Sequence, residues 1–371
     1  MGVLDKERKL LKKMIDHSYR MGQKYGELKK IKDERRVVLL KKAVLSSEQY
    51  KKIDNFFLKY YGEKIPYDWH RLYKSYTGKF TEEYFPEILF SSIYEPKVNP
   101  EDYRYVLDDK LLLNVFCLDV NNVRTPKVFG VFCNGIYRDE KHMAMTRFEF
   151  LDRFSNVGEA VIKPTQDTSS GYGVYLVNLL EGTDQISGRS LEELINAYKG
   201  AYIIQEVIRP HEILKTLYPD SINTFRIITY LWDGVVNHCP LTLRMGQGGS
   251  YLDNAHAGGI FIGVSDEGLL ADKAFTEFQT VYDSHPDTGF IFENYHIPYV
   301  KDLIECAKRM HLNTPQLGII SWDLTIDEEG SFILIEVNTR GQAVWFPQMA
   351  NGKAAFGKNT VGILRFISNK R

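Results

Sequence analysis

The sequence lacks most of the features that announce familiar activities. Cysteine is scarce: Cys117, Cys133, Cys239 and Cys306 are far apart and form no CxxC pair. Neither a zinc knuckle nor a disulfide framework is therefore indicated, and the four are expected to be buried thiols. No stretch approaches the roughly 20 apolar residues of a membrane span, and the opening residues lack the apolar core of a signal peptide. The chain is therefore expected to be soluble and cytoplasmic. Charge of one sign is missing too, since 47 Lys+Arg face 48 Asp+Glu. That balance excludes a uniformly basic, nonspecific nucleic-acid binder, and no nucleic-acid partner is expected. Internal repeats and low-complexity segments are absent, which excludes solenoids and linker arrays. No GxxxxGK[ST] occurs, so there is no P-loop. What is present is ordinary globular composition, 44% hydrophobic and 26% charged over 371 residues, enough for two or three packed units.

Charge is nevertheless uneven along the chain. Residues 1–60 hold 17 Lys+Arg against 8 Asp+Glu, leaving the remainder acidic. In this leader Leu4, Leu10, Leu11, Met14 and Ile15 recur at helical spacing, as do Ile31, Val37, Val38 and Leu40, predicting two or three amphipathic helices. Such a face either packs on the main body with its charges solvated, or meets anionic lipid or a polyanionic partner. The absence of tryptophan there weakens the membrane case. Residues 60–100 are rich in Tyr, Phe and Pro, and predict an irregular, aromatic-packed connector. Trp69, Tyr73 and Tyr76 are either core residues or platforms for a sugar ring. Helical pattern resumes near Asp102 and runs through Lys110 to Val115. A strand-like run comes next at Lys127–Phe132, after which strands and helices alternate.

Chemistry concentrates in three places. The first is a strand ending in Lys163, a small-residue loop through Thr168, Ser169, Ser170, Gly171 and Gly173, and a second strand. Glycine permits close backbone approach to a phosphate, hydroxyls donate, and the lysine supplies a point charge. The second comprises the buried-strand pattern Tyr202-Ile203-Ile204-Gln205-Glu206-Val207, whose exit can offer backbone groups to an adenine edge, and two strands that carry Arg226 and Arg244. An arginine amid such apolar runs needs an anion. Alternation sets Asn223 with Phe225 on one side and Thr224 with Arg226 on the other.

The third place is a C-terminal hairpin turning at Asp327–Gly330. Its second strand, Phe332–Asn338, carries Glu336 and Asn338 two apart and hence on one face, with Asp323 near Glu336 across the hairpin. Two carboxylates and an amide oxygen converging there would repel unless a hard cation sits between them, which predicts magnesium shared with nucleotide phosphates.

Taken in order, Lys110, Lys163 with its loop, Gln205-Glu206-Val207, Arg226, Arg244, Asp323, Glu336 and Asn338 resemble the series found in ATP-grasp enzymes. More narrowly, Ser221-Ile222-Asn223-Thr224-Phe225-Arg226, Leu252 through Gly259, His285-Pro286-Asp287-Thr288-Gly289 and Glu336-Val337-Asn338 resemble the sugar-transfer-associated ATP-grasp group, over about residues 100–350. The resemblance implies an α+β fold in which two subdomains clamp ATP, preceded by a helical N-terminal region. The expected divisions are a basic helical region with its connector at 1–100, a subdomain with the phosphate-lid hairpin at 101–200, and a subdomain with the metal site at 201–371. It further implies that Lys110 and Lys163 neutralise the nucleotide phosphates, that the loop with Thr168, Ser169, Ser170, Gly171 and Gly173 is a lid, and that Gln205, Glu206 and Val207 border adenine and ribose. Asp323, Glu336 and Asn338 would then hold Mg2+, while Arg226 and Arg244 face the phosphoryl group in transit.

His256 would deprotonate an incoming amine or contact phosphate. Arg340, on the face of Asn338 if the strand continues, would hold a substrate carboxylate. His285 would lie in a structured turn near the substrate. The implied activity is ATP-dependent, ADP-forming ligation of a carboxylate to an amine through an acyl phosphate, adding an amino acid or similar group to a sugar or glycan precursor in polysaccharide biosynthesis. A kinase acting on a sugar or glycan hydroxyl and a noncatalytic nucleotide-binding scaffold remain alternatives. The basic N-terminal region would supply any contact with glycan-assembly machinery or the inner membrane face. Two departures from the family concern the acceptor. Gly341, Gln342 and Ala343 come after the Glu-x-Asn motif where proline is usual, and residues 1–100 lack βαβ alternation.

Overall fold

The computed structural model describes residues 3–166 and 172–368. Its N-terminal third is helical. Val3–Ile31, Glu34–Lys42, Ser47–Tyr60 and Asp68–Thr77 are followed by three short helical segments between Glu87 and Val98. Helix starts are specified locally: the Asp33 carboxylate accepts from Arg35 N, and Ser46 with Gln49 forms a reciprocal capping box. The leader divides in two. Ile31, Leu39 and Leu40 are buried, whereas Leu10, Leu11, Met14 and Ile15 are exposed.

The expected irregular connector is corrected here. Trp69, Tyr73 and Tyr76 recur at helical spacing on Asp68–Thr77, a helix closed by Gly78 in the left-handed region. With Phe57, Tyr84, Phe85, Phe90 and Tyr94 they build a core against the C-terminal helices Trp345–Asn351 and Thr360–Ile367. Trp69 and Tyr73 are 0% exposed, so they pack and are not sugar platforms. Trp69→Ala is expected to remove about 3–5 kcal/mol of stability, read as a lowered urea midpoint. The helix expected from Asp102 to Val115 is also broken. It ends at Leu107, and Asp109, accepting from Leu111 N, starts a separate turn at Lys110–Leu112. The strand expected at Lys127–Phe132 forms as Val128–Cys133.

Two sheets complete the chain. The seven-stranded one runs Ala144–Met145, Ile136–Asp139, Val128–Cys133, Tyr202–Gln205, Gly158–Pro164, Tyr175–Leu180, Thr183–Asp184. Helices Arg147–Phe154 and Leu191–Asn196 cover it through Phe150, Phe154, Leu191 and Leu194. The nine-stranded sheet runs Val123–Arg124, Phe332–Asn338, Ile319–Ile326, Phe225–Trp232, Leu241–Met245, Ile260–Val264, Leu270–Phe275, Val281–Tyr282, with Val235–His238 beside Phe225–Trp232. One face of this sheet buries Phe225, Ile227, Leu243, Trp322, Leu324 and Leu334 against helix Val300–Leu312. Tyr202–Gln205 belongs to the first sheet and Val123–Arg124 to the second. Sheet membership would therefore place the subdomain division after about residue 205 rather than at 200.

Alternation is interrupted at one functionally important point. Leu324 pairs with Leu334 and Asp323 with Glu336, so Ile335 is one residue too many and forms a β-bulge. Among the described residues no helix is long and apolar enough to cross a membrane. All four cysteines are free; Cys239 and Cys306 are buried as expected, but Cys117 and Cys133 only partly so.

Candidate active site

The strands of the two sheets place their polar alternates around a cavity of ≈ 320 Å³. On Gly158–Pro164, Glu159, Val161 and Lys163 line it while Ala160 and Ile162 enter the core. On the facing sheet Thr224, Arg244, Asp323 and Glu336 line it, and Phe225, Leu243, Trp322 and Leu324 point away into the core. This is the period of two expected of half-buried strands.

Asp323 is the electrostatic centre. Its strand neighbours in register are Arg226 on one side and Glu336 on the other. Arg226 grips it with two bonds, Nε to Oδ1 at 2.5 Å and Nη2 to Oδ2 at 3.0 Å, and Arg244 Nη2 lies 3.0 Å from Oδ2. Burial works against its charge, but the two guanidiniums outweigh that and hold the carboxyl below its ordinary value. Glu336 pairs with Lys110 Nζ at 2.9 Å. The repulsion between these carboxylates is thus relieved by protein cations. The expectation that their charge alone demands a metal is corrected accordingly.

Lys163 is different. It is 5% exposed, and no salt bridge to it is found among the described residues. Burial, reinforced by Lys110 and partly offset by Glu336, pushes its ammonium down from 10.5 to about 8. A buried lysine with a second lysine at the same cavity is an arrangement that an anion would stabilise.

Gln205 is buried at the end of its strand, and Glu206 and Val207 line the same cavity. The Glu206 carboxylate is occupied by Arg124 and by Lys127 N at 2.9 Å, while its own N–H donates to Lys127 O. Gly173 has φ +73°, and its carbonyl accepts from Tyr198 Oη at 2.6 Å. Thr168, Ser169, Ser170 and Gly171 lie outside the described residues.

A second cavity of ≈ 170 Å³ shares Arg244, Asn254 and Glu336 with the first and adds Arg226, Asn338, His256, Gln342 and Phe346. The structure brings His256 here. Arg340 it does not bring: the strand stops at Asn338, and Arg340 Nε bonds Asp108 Oδ2 at 3.2 Å beneath the Tyr105 ring. The expected continuation of the strand face to Arg340 is therefore corrected. His285 is wholly buried, stacked on Tyr218 with centroids 4.7 Å apart and bonded to Gly246 O at 2.9 Å. It supports the Gly246–Gly249 turn and lines neither cavity.

Sequence reasoning missed Asp253. Its Oδ2 accepts from Thr224 N and Oγ1 at 2.8 and 2.6 Å, and Arg244 in turn bonds Thr224 Oγ1. The Leu252–Gly259 motif contained it, but nothing in that run distinguishes a buried carboxylate from a turn-forming one. Glu277 and Arg124 carried no local signal at all.

A cavity lined by charges of both signs between two sheets, one antiparallel and one with a single parallel edge pairing, behind a helical N-terminal region, is the architecture of an ATP-grasp protein. Over residues 89–362 the chain matches the sugar-transfer associated ATP-grasp family, and it belongs to that family. ATP binding follows from that membership. The chain is also similar to solved structures of VanG D-Ala:D-Ser ligase from Enterococcus faecalis (13% identity, 70% of this chain and 60% of that one, TM-score 0.40). D-alanyl-alanine synthetase A from Vibrio cholerae matches at 12% identity over 70% and 64%, TM-score 0.40. D-alanine–D-alanine ligase from Bacillus anthracis matches at 14% over 71% and 67%, TM-score 0.39. The chain therefore spans less than two thirds of the first two. Among curated proteins nothing matches.

Proposed function

We propose that the protein is an ADP-forming ligase that joins a carboxylate to an amine through an acyl phosphate, placing an amino acid or similar group on a sugar or glycan precursor for polysaccharide biosynthesis. The observation that carries this reading is Lys163, a buried ammonium without an acid partner among the described residues, lining the cavity between the sheets together with Lys110. The sugar-transfer association of the family supports the acceptor class.

Adenine would lie at the Gln205–Ile208 exit. There the Val207 N–H and Glu206 C=O have no backbone partner among the described residues and can meet its edge. The phosphates would run toward Lys110 and Lys163. Asp323, Glu336 and Asn338 would offer hard oxygen donors for Mg2+, Asp323 only through the lone pairs that Arg226 and Arg244 leave unused. No three His, Cys, Asp or Glu side chains among the described residues form a cage. The set therefore fits a cation that takes its remaining ligands from phosphate oxygens and not one enclosed by protein. When bound, the ion would neutralise charge developing between the β- and γ-phosphates.

Of the protein's own groups, Arg244 is held between Asp323 and Thr224, so its guanidinium is fixed in place before substrate arrives. In the first step a carboxylate oxygen attacks the γ-phosphorus and the bond to the β-bridging oxygen breaks, releasing ADP. In the second, the amine attacks the acyl carbon and phosphate leaves with the electron pair. We place this activity in the cytoplasm, which the four free thiols suit. Contact with glycan-assembly machinery or a membrane face would fall to the exposed Leu10, Leu11, Met14 and Ile15 of the basic first helix.

The test is ADP release with pooled amino acids and nucleotide sugars. Acceptor-dependent ADP, hydroxamate when hydroxylamine replaces the amine, and oxygen label passing from carboxylate to phosphate are the expected results. Phosphate left on the acceptor would replace the ligase with a kinase, and no ADP release with any acceptor would favour a noncatalytic scaffold.

A further inference from the structure

The second cavity has a feature that phosphate binding does not use. His256 Nδ1 lies 2.7 Å from Glu277 Oε2, and the imidazole packs edge-on against Phe346. The other Glu277 oxygen is 2.5 Å from Arg36 Nη2. Arg36 is 5% exposed. It is pinned with its guanidinium carbon 3.9 Å from the Trp345 ring centroid and with Nη1 bonded to Lys30 O. Tyr76 Oη donates to the Glu277 carbonyl at 2.6 Å, which fixes the same residue from the helical core. A chain of polar contacts thus runs from the N-terminal helix Glu34–Lys42 through Glu277 to the imidazole at the cavity wall.

In this arrangement Nδ1–H donates to the carboxylate, which selects the tautomer whose Nε2 carries the lone pair. Nε2 has no protein partner among the described residues, and the ring lines the cavity that also holds Arg226, Arg244 and Glu336. That cavity is also built for a polar guest. Gln342, 4% exposed, and Asn338 each line it and carry a buried amide atom with no hydrogen-bond partner among the described residues.

We infer that His256 is the base that takes the proton from the attacking amine of the acceptor, and that Glu277 and Arg36 are positioning residues for it. This inference rests on the ligase reading. As the amine lone pair forms the C–N bond and the C–O bond to phosphate breaks, the nitrogen gains positive charge. Nε2 accepts its proton, and the imidazolium is stabilised by Glu277. The charged groups around the ring are Glu277 and, behind it, Arg36, with Arg226, Arg244 and Glu336 on the cavity walls. The helical region is on this reading part of the acceptor machinery, although none of its residues before Lys110 lines the first cavity.

The experiment uses the full chain and the pooled amino acids and nucleotide sugars. H256N is expected to lower amine-dependent ADP release by roughly 100-fold or more. Hydroxylamine is a much weaker base than an alkyl amine, so the nitrogen charged during its attack gives up its proton to water, and hydroxamate formation should fall far less than the amine reaction. E277Q is expected to lower the amine reaction about tenfold and to alter its pH profile. R36Q should follow E277Q and R36K should restore activity, which separates positioning from a general loss of packing.

Nitrogen-detected histidine spectra need no substrate and give the second readout. They should show one Nδ1–H tautomer for His256 in wild type and a mixture in E277Q. An unchanged pH profile in E277Q, equal loss of the hydroxylamine reaction in H256N, or an Nε2–H tautomer in wild type would each overturn the inference. If wild type shows neither acceptor-dependent ADP nor hydroxamate, the ligase reading fails, and the tautomer spectra still decide whether the Glu277–His256 pair is formed as described.

Discussion

Replacing Lys163 with methionine is expected to stabilise the nucleotide-free protein and weaken its ATP complex together. The folded-state value near 8 lies below the ordinary 10.5, so the unfolded chain holds the lysine proton more tightly than the folded one. Below about pH 8 the folded protein carries the full burden of a buried ammonium, on the order of 3 kcal/mol at 1.36 kcal/mol per unit. That burden is relieved as pH rises from about 8 to 10.5. The unbranched, apolar methionine removes it. Chemical denaturation at pH 7 should therefore find the variant more stable by up to about 3 kcal/mol, with the gap closing toward pH 10. ATP, by contrast, would lose a desolvated charge contact worth about 2–5 kcal/mol, roughly 30-fold or more in affinity.

Wild-type affinity should also weaken as pH climbs past 8, because the lysine must then take up a proton to bind phosphate, and the variant should lack that limb. Calorimetric titration with ATP at pH 7 and 9 measures both. Equal nucleotide affinity in the variant would remove Lys163 from the phosphate site. A residue that destabilises the empty fold and strengthens the filled one is a familiar signature of function.

The second large effect is expected at Glu336. Glu336→Gln keeps the shape, and the side chain is about one-third exposed beside Lys110, so the fold should survive. Removing its charge takes away the partner of Lys110 and, on the proposed reading, replaces an anionic donor for the cation with a neutral one. Turnover is expected to fall on the order of 10²–10³-fold, with the Mg2+ concentration for half-maximal rate shifted upward. ADP release across a magnesium series, with circular dichroism as the folding control, reads this directly. Activity within tenfold of wild type, with an unchanged magnesium curve, would take Glu336 out of the metal site.

The parts of the protein readable from sequence were those governed by local periodicity. Alternation around Thr224–Arg226 and the shared face of Glu336 and Asn338 follow from a period of two, and a short turn brings Asp323 near Glu336, although their direct pairing depends on the bulge at Ile335, which no periodicity announces. Other features depend on partners far away in the chain. The aromatic stretch between residues 60 and 100 carried helical spacing, but Pro66, Pro86 and Pro96 interrupt it, and its dense Tyr and Phe content obscured the period. Its helices are held by tertiary contact with Trp345–Asn351 and Thr360–Ile367. The neutralisation of Asp323 by two arginines was not foreseen because each was assigned an external anion, when the nearer anion lay in the same sheet, one strand from Arg226 and two from Arg244. Arg340 failed because a strand's length depends on the residues just beyond its end, here Gly341 in the left-handed region. Arg36 and Glu277, 241 positions apart, have no sequence signal that could have joined them.

The supernumerary Ile335 acts on its strand as a frame shift acts on a message. Before it, Phe332 and Leu334 point into the apolar core; after it, Val337 does, and Glu336 and Asn338 turn to the cavity. In an unbroken pleat Leu334 and Glu336 would share one side, and a carboxylate would be driven into the packed layer beneath the sheet. The bulge instead lets two successive letters, Ile335 and Glu336, be read on the same face, an apolar wall next to an acid in one cavity. Excising this isoleucine should therefore leave every neighbour spelled correctly, inward or outward as now, and cost the cavity its apolar wall and the strand its bend.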